Sequence, residues 1–394
     1  MDVSHLRIAL FTGNYNYVRD GANQALNRLV GYLLSKGAAV RIYSPTVENP
    51  AFPPVGDLVS VPSIPIPGRA EYHAPVMLPA RVRRDLKAFQ PNIFHIASPE
   101  ILGHRAVTLA RRWNLPVVAS VHTRFETYFR YYGLAFLEPV VEAALRRLYR
   151  RCDAIFAPSE SMAQLLRDQR MSFDVGIWSR GIDQTIFNPG RRDLGWRRSV
   201  GIADESPVIG FIGRLVMEKG LDVFSDTIDQ LERRGVPHRV LVVGEGPARE
   251  WFERRLPNAV FAGFQQGEEL GRAVASMDML FNPSVTETFG NVTLEAMAAG
   301  LPVVAARATG SASLVTDRVT GRLVEPGAIS AFADALAAYC DNRALRDEAG
   351  AAGRAASHRY GWDQVNQALV DGYLRVIRQR ELGGGPLPRQ SPVP

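Results

Sequence analysis

The chain has 394 residues, 46% hydrophobic and 22% charged, with a formal net charge of +6 and a pI near 9.5. That length exceeds one ordinary core and implies two domains, and the balance is that of a soluble globular protein. No run of eighteen uncharged apolar residues occurs, so no helix is expected to span a membrane, and the opening "MDVSHLRIALFTG" reads as a first strand rather than a signal peptide. Two cysteines, Cys152 and Cys340, do not make a disulfide framework, which places the chain in the reducing cytoplasm. The basic pI favours acidic partners such as nucleotide phosphates, nucleic acid or an anionic membrane surface, against the plainer reading of solvated helix faces. The cations cluster as "RVRRDLK" (81–87), "RRLYRR" (146–151) and "RRDLGWRR" (191–198).

In chain order, residues 7–12 form a short apolar run that reads as a strand, followed by a loop holding Gly13 and Gly21. Ala22, Ala25, Leu26, Leu29, Val30, Leu33 and Leu34 then fall on one helical stripe, Gly37 closes it, and residues 40–44 read as the next strand. This is a βαβ unit, which implies a parallel sheet with helices on both faces. Further strands are expected at 93–96, 117–121 and 154–157. Residues 180–206, rich in Gly, Pro, Arg and Asp, read as a connection between domains. The pattern restarts near Pro207: "PVIGFIG" enters a glycine loop, Leu221, Phe224, Ile228 and Leu231 line a helix ended by Gly235, and "RVLVVGEGP" is the next strand and turn. Strands are expected again at 260–262, 279–282 and 302–305, a helix at 362–380, and a disordered tail in "GGGPLPRQSPVP".

The fold class is therefore α/β, with two Rossmann-like doubly wound parallel-sheet domains facing across a cleft. Their expected bounds are 1–190 and 191–365, followed by a helix at 366–382 that packs back toward the first domain and a tail at 383–394. Ligands in open α/β folds bind at the carboxyl ends of the strands, and four loops fall there. The loop from Gly13 to Gly21 does not fit G-x-G-x-x-G and is either a plain turn or a close approach of backbone to ligand. "GRLVMEKG" (213–220) lacks the P-loop register, but Arg214 and Lys219 can clamp a diphosphate if they are not merely solvated cations. "VGEGP" (243–247), with Gly244, Glu245 and Gly246, permits a tight turn under a flat ring, and Arg249 stands where a fingerprint's third glycine would be.

The fourth stretch, "TETFGNVTLEAMAAG" (286–300), places Glu287 and Glu295 eight residues apart around Phe289, Gly290 and Asn291, where a helix should begin. The free N–H groups and dipole of that helix start favour an anion. Eight residues of helix span roughly 12 Å, the reach from a sugar across a diphosphate to a ribose, and too far for joint acid–base action on one bond. One carboxylate can then accept sugar hydroxyls and the other ribose hydroxyls.

"TETFGNVTLEAMAAGLPVVA" resembles the E-x7-E segment of retaining glycosyltransferases of the GT-B fold, family-4 type. "GRLVMEKG" and "VGEGP" resemble that family's donor-phosphate and base-binding loops, and "RGIDQTIFNP" (180–189) its interdomain segment. The resemblance implies that Glu287 holds the donor sugar, Glu295 the ribose, and Arg214 and Lys219 the diphosphate. It also matches His122, at the end of "VVASVH", to a histidine beside the donor sugar, although read alone it is one of seven scattered histidines. No D-x-D sequence occurs and no histidines have metal-ligand spacing, in keeping with a metal-independent member that needs no cofactor beyond its nucleotide-diphosphate sugar. "HTRFETYFRYYG" (122–133) resembles the subgroup that glycosylates membrane lipids, including sulfoquinovosyl-diacylglycerol synthases and glycolipid mannosyltransferases, with Arg124 and Glu126 at variable positions. Phe125, Tyr128, Phe129, Tyr131 and Tyr132 there are core or interfacial residues.

These readings together imply a cytoplasmic retaining glycosyltransferase acting on a hydroxyl acceptor, a membrane lipid with a saccharide as the alternative, and able to sit on the inner face of a membrane. An NAD-dependent dehydrogenase would need the missing G-x-G-x-x-G, and a nucleic-acid binder would need motifs that are absent. A non-catalytic nucleotide-sugar binder would not need Glu287, Glu295, Arg214 and Lys219 together.

Overall fold

The computed structural model describes residues 2–66, 69–122, 136 and 138–383. Arg124, Glu126, the aromatic run 125–132 and the tail from residue 384 lie outside the described residues. The chain divides into two compact units, one made of Met1–Ser179 with everything from Asp363 on, the other of Arg180–Trp362.

In the first unit the strands are β1 (Arg7–Phe11), β2 (Ala39–Ser44), β3 (Asp57–Ser60), β4 (Ser63–Ile66), β5 (Arg69–Pro75), β6 (Ile93–Ile96), β7 (Val117–Ser120), β8 (Ala154–Ala157) and β9 (Val175–Ile177). Seven form one parallel sheet in the order β3-β2-β1-β6-β7-β8-β9, and β4 and β5 form a separate antiparallel hairpin. β1 is flanked on both sides, Ile8 pairing in register with Val40 and with Ile93. Helices cover the sheet, so β6, β7 and β8 are buried on both faces and read as unbroken apolar runs. The helix Gly21–Ser35 starts at Asp20, whose carboxylate accepts from the backbone of Ala22 and Asn23 in a capping box closed by Asn23.

The second unit holds β10 (Val208–Ile212), β11 (Arg239–Val243), β12 (Val260–Phe261), β13 (Met279–Asn282), β14 (Val303–Ala306) and β15 (Gly321–Val324) in the order β12-β11-β10-β13-β14-β15, all parallel. One side of its core is aromatic: Phe224 stacks on Phe281 at 4.9 Å, and Phe211, Phe252 and Phe332 join them edge-on or tilted. β3, β9, β15 and the β4–β5 hairpin carry no signal in the sequence reading. β3, β9 and β15 are sheet edges with part-exposed residues, so neither alternation nor a continuous apolar run marks them.

The division between units falls at Ser179/Arg180 rather than at 190/191. The segment after Arg180 is tied into the second unit, where Ile182 N donates to Tyr360 O at 2.8 Å and Ile182 bridges Gly361. The last helix, Trp362–Glu381, crosses back at Asp363. It is held in the first unit by Arg375 on Asp174, Arg380 on Asp153 and Tyr32 on Gln367.

The cluster "RRDLGWRR" is structural. Arg192 pairs with Asp278 and Arg198 with Asp204, and Arg197 is 0% exposed, donating to Asp278 Oδ2 at 3.1 Å and to the carbonyls of Ser276, Ala203 and Ser206. Asp278 also accepts from Val208 N at 2.9 Å, so one ion pair locks the linker onto the start of β10. Arg197→Met should lower stability by about 3–5 kcal/mol in urea unfolding, because it leaves the carbonyls of Ser276, Ala203 and Ser206 without their donor and takes from Asp278 one of its two guanidinium partners. Arg198→Ala, on the surface, should stay within about 0.5 kcal/mol, and equal effects from the two would refute the assignment.

Candidate active site

In the second sheet the winding reverses between β10 and β13, which are adjacent in space although β11 and β12 lie between them in sequence. The loops that leave β10 and β13 therefore diverge and open a crevice at their carboxyl ends. The first runs 213–220 and ends in the turn Met217–Lys219; the second runs 283–290 into the helix Asn291–Ala298. They meet through Lys219 Nζ, which donates to Glu287 Oε1 at 2.6 Å, and Thr286 Oγ1, which donates to Glu218 O at 3.3 Å. Glu287 is further fixed through its carbonyl, which accepts from Gly310 N at 2.9 Å.

The β11 loop is zipped to the β10 loop by backbone alone. Gly213 N donates to Val243 O at 3.0 Å, Leu215 N to Glu245 O at 2.9 Å and Ala248 N to Leu215 O at 3.0 Å. Gly244 has φ +143°, and a Cβ there would come within 1.9 Å of Gly213 O; at Gly246 it would come within 2.3 Å of Leu215 O. These glycines are thus required by the close approach of two backbones. Glu245 pairs with Arg249, which also donates to Glu253, on the exposed side of this loop. Arg214 is exposed, and its side chain has no hydrogen bond or ion pair among the described residues.

The helix Asn291–Ala298 starts after Gly290, whose φ of +95° turns the chain sharply and whose missing side chain leaves the first N–H groups without a side-chain cap. Phe289, buried, anchors the turn edge-on against Tyr360. Glu295 lies in the helix's second turn, half-buried, with no hydrogen bond or ion pair to its carboxylate among the described residues. Burial first, and the negative charge of Glu287 second, push its carboxyl up to about 7. Of the residues expected to form a donor site, Arg214, Lys219, Gly244, Glu245, Gly246, Glu287, Phe289, Gly290, Asn291 and Glu295 all lie on three strand-end loops and one helix of this unit; Lys219 and Glu287 are in contact, and the charge of Glu287 acts on Glu295.

Gly13, Gly21 and His122 belong to the first unit. Gly21 is the first residue of its helix, a structural position. Gly13 lies at the reversal point of that sheet, between β1 and β6, where Gly13 N donates to Ser98 Oγ at 2.7 Å. Glu100, which the sequence reading passed over, lies across from it: a Cβ on Gly13 would stand 2.2 Å from both Glu100 carboxylate oxygens. Burial pushes Glu100 up to about 7, and its buried Oε2 has no hydrogen-bond partner. The available signal was its place, a carboxylate just after a strand end in "ASPE" beside a glycine loop. His122 follows β7; its Nε2 lies 2.8 Å from Ser120 Oγ, and its ring packs edge-on against Trp178 at 5.5 Å.

Among the described residues no cluster of three His, Cys, Asp or Glu side chains is placed to hold a metal ion, and no helix is long and apolar enough to cross a membrane.

Known proteins match this chain along most of its length. The family described as "Glycosyltransferase Family 4" matches residues 19–185 and that described as "Glycosyl transferases group 1" matches 206–342. A GDP-mannose-dependent alpha-mannosyltransferase of Mycolicibacterium smegmatis is 32% identical over 96% of this chain and 99% of its own. The sulfoquinovosyl transferase SQD2 of Arabidopsis thaliana is 30% identical over 90% of this chain and 71% of its own. In structure, a sucrose-phosphate synthase from Thermosynechococcus elongatus superposes with a TM-score of 0.77 at 18% identity, over 95% of this chain and 99% of that one, which shows the shared GT-B fold. The crevice loops and these matches fall on the same residues, and the chain belongs to the group 1, family 4 glycosyltransferases.

Proposed function

We propose that this glycosyltransferase is a retaining, metal-independent enzyme that moves a sugar from a nucleotide-diphosphate sugar to a hydroxyl of a membrane glycolipid. The observation that carries the donor side is the Lys219–Glu287 pair beside an uncapped helix start, with Glu295 one helical turn further in. The diphosphate lies against the N–H groups following Gly290, and Arg214 and Lys219 neutralise it. Glu287, with one oxygen on Lys219, offers the other to a sugar hydroxyl. Glu295 accepts the ribose hydroxyls, and the loop Gly244–Gly246 supports the base. Donor names among the relatives include GDP-mannose, so the donor class is a nucleotide sugar in general.

In a retaining reaction the bond from the sugar's C1 to the diphosphate oxygen breaks while the acceptor oxygen bonds C1 on the same face. The acceptor's proton passes to the departing diphosphate, and the charge left on that group is what the helix start and the two cations stabilise. The reading of catalysis by these groups alone rests on the lack of a D-x-D sequence and on the two cations beside the helix start.

The lipid acceptor rests on the resemblance of 122–133 to the glycolipid subgroup and on the first unit's surface. Arg83, Arg84 and Lys87 project from the helix Ala80–Phe89, and Ile64, Ile66, Met77, Phe136 and Val140 are exposed apolar residues of the same unit. The second basic cluster fits less well than its sequence suggests. Arg146 pairs with Glu142 and donates to Gln169 O, Arg150 donates to Arg170 O, and Arg151 donates to Thr108 Oγ1. Those side chains brace the fold, and the helix Ala80–Phe89 is the better candidate for an anionic surface.

Three outcomes test the reading. Glu287→Ala should reduce turnover more than nucleotide binding, whereas Glu295→Ala should weaken nucleotide binding by about 1–3 kcal/mol. Since the ligand needs Glu295 ionised and burial holds its carboxyl near 7, affinity for a nucleotide sugar should rise roughly thirtyfold from about pH 5.5 to 8, and Glu295→Gln should flatten that slope. Calorimetric titration showing a flat wild-type profile would refute the ribose role.

Turnover should persist in excess EDTA, and Arg214→Ala should lower it by about a hundredfold. Full loss in EDTA that Mg²⁺ or Mn²⁺ restores would show a metal-dependent reaction instead.

Sedimentation with anionic liposomes should show binding that weakens as salt rises, each cation contributing on the order of 1 kcal/mol. Neutralising Arg83, Arg84 and Lys87 should abolish it, while neutralising Arg147 alone should not. Absence of binding at low salt, together with efficient transfer to a soluble sugar, would replace the lipid with a saccharide acceptor.

A further inference from the structure

The first unit has a reversal of winding of its own. β1 and β6 are neighbours in the sheet although β2 to β5 come between them in sequence, so the loops that leave them diverge. The β1 loop enters this gap at Gly13, whose peptide groups are held from two directions. Gly13 N donates to Ser98 Oγ at 2.7 Å, and Gly13 O accepts from the buried Tyr17 hydroxyl at 2.7 Å, whose oxygen accepts in turn from His73 N at 3.1 Å. Against the bare Cα lies the Glu100 carboxylate, and a Cβ on Gly13 would overlap both of its oxygens.

This carboxylate performs none of the structural tasks open to it. Glu100 occupies the N-cap position of the helix Ile101–Arg112 but makes no capping hydrogen bond. Its Oε2 is buried without a partner, and among the described residues no cation pairs with it. Burial has pushed its carboxyl up to about 7, so the group weakens the fold at neutral pH. Ser98 offers the complement. Its Oγ takes the N–H of Gly13, and its own proton has no acceptor among the described residues. An unsatisfied acceptor and an unsatisfied donor thus reach the same glycine. A ligand hydroxyl has one proton to give and lone pairs to receive, so hydroxyls satisfy both. An anion would be repelled by Glu100, and a cation would leave the Ser98 proton unused.

We propose that Gly13, Ser98 and Glu100 form a binding site of the first unit for an uncharged polyol, Glu100 accepting from its hydroxyls and Ser98 donating to one. Gly13 is required there for its volume, since any side chain would take the space of the carboxylate. The site belongs to the first unit alone and does not depend on how a donor is held in the second. A sugar or glycerol head group presents such hydroxyls, and only the step from polyol to acceptor head group rests on the acceptor reading above.

Hydroxyls bond an ionised carboxylate more strongly than a neutral one, so the ligand should draw the titration of Glu100 downward. The titratable groups around it are Tyr17 and Asp20 on the β1 loop, Tyr72 and His73 on β5, and His104 one turn along its own helix. Histidine charge also changes near neutral pH, so the measurement must read the carboxyl carbon itself. The test is ¹³C NMR of the full chain labelled at glutamate Cδ, with the Glu100 signal identified by its loss in Glu100→Gln. Its midpoint should lie near 7 without ligand. Excess glycerol or methyl α-D-glucopyranoside should lower it by about one unit, the linkage expected if the ionised form binds tenfold tighter. Glu100→Gln should weaken binding of the same probes by about tenfold. Gly13→Ala, which displaces the carboxylate, should return the midpoint toward 4.5 and abolish binding. A midpoint in the ordinary carboxylate range in the unaltered protein, one near 7 that neither polyol moves, or binding that Glu100→Gln leaves at full strength would overturn the site. Binding that shifts the midpoint, with no transfer to the bound polyol when a nucleotide sugar is supplied, would uphold the site and detach it from the acceptor.

Discussion

The second unit depends on one topological constraint, the reversal of winding between β10 and β13. Parallel strands are joined by right-handed crossovers, so two neighbouring strands whose chains leave in opposite directions leave their carboxyl ends uncovered. Into that gap the chain places a cation, Lys219, from one side and a carboxylate, Glu287, from the other. The ion pair does more than join two loops. It holds a carboxylate beside the uncapped start of a helix and keeps a positive charge at the mouth of the crevice. The zipper between Gly213 and Gly246 then fixes the neighbouring loop by backbone bonds, leaving the side chains of Arg214 and Glu245 to face outward.

Each unit has placed a carboxyl under desolvation at its own reversal point: Glu295 near β13 and Glu100 after β6, both raised from an ordinary 4.5 to about 7. The sign matters. A carboxyl whose folded value is raised favours the folded state fully only below the unfolded value, and that contribution is lost as pH rises through about 7. At neutral pH both groups therefore cost stability, and a fold selected for stability alone has no reason to keep them. Hydroxyl groups of a ligand would satisfy the charged form and recover that cost on binding. Desolvated carboxyls without hydrogen bonds are for this reason better markers of a ligand site than the exposed arginines nearby.

How much of this could be read from the chain depended on whether the interaction was local. β6, β7, β8, β10, β11, β13 and β14 are buried on both faces, so their apolar runs stand out, and the observed bounds differ from the expected ones by a residue or so. Gly37 and Gly235 end helices as expected, with φ of +83° and +69°. The Glu287–Glu295 spacing was legible because a helix start and its two carboxylates lie within nine residues. Edge strands such as β3 and β9 were not, since their residues are part-exposed without alternation. The Tyr373–His95 bond and the Glu100–Gly13 contact were beyond reach for a different reason: a tyrosine on an amphipathic helix and a glutamate before another look the same whether or not they meet a partner far along the chain.

The arginine clusters show the same limit from the other side. Sequence reports charge density, and three basic runs looked alike. In the fold, Arg197 is buried on Asp278, Arg146, Arg150 and Arg151 brace helix ends, and Arg83, Arg84 and Lys87 project from a helix whose other face holds Val82, Leu86 and Phe89 in the core. What separates them is the supply of acceptors. Arginine's planar fork satisfies several carbonyls at once, so a run lying beside exposed strand ends and helix termini is drawn into the structure. In the run 81–87, Arg81 at the helix start donates to Ser60 O, whereas Arg83, Arg84 and Lys87, on the outer face where each helix carbonyl is already bonded within the helix, keep their charge available to a partner. The position of a basic residue relative to unsatisfied backbone, more than the number of its neighbours of like charge, decides whether it stabilises the fold or recruits an anionic surface.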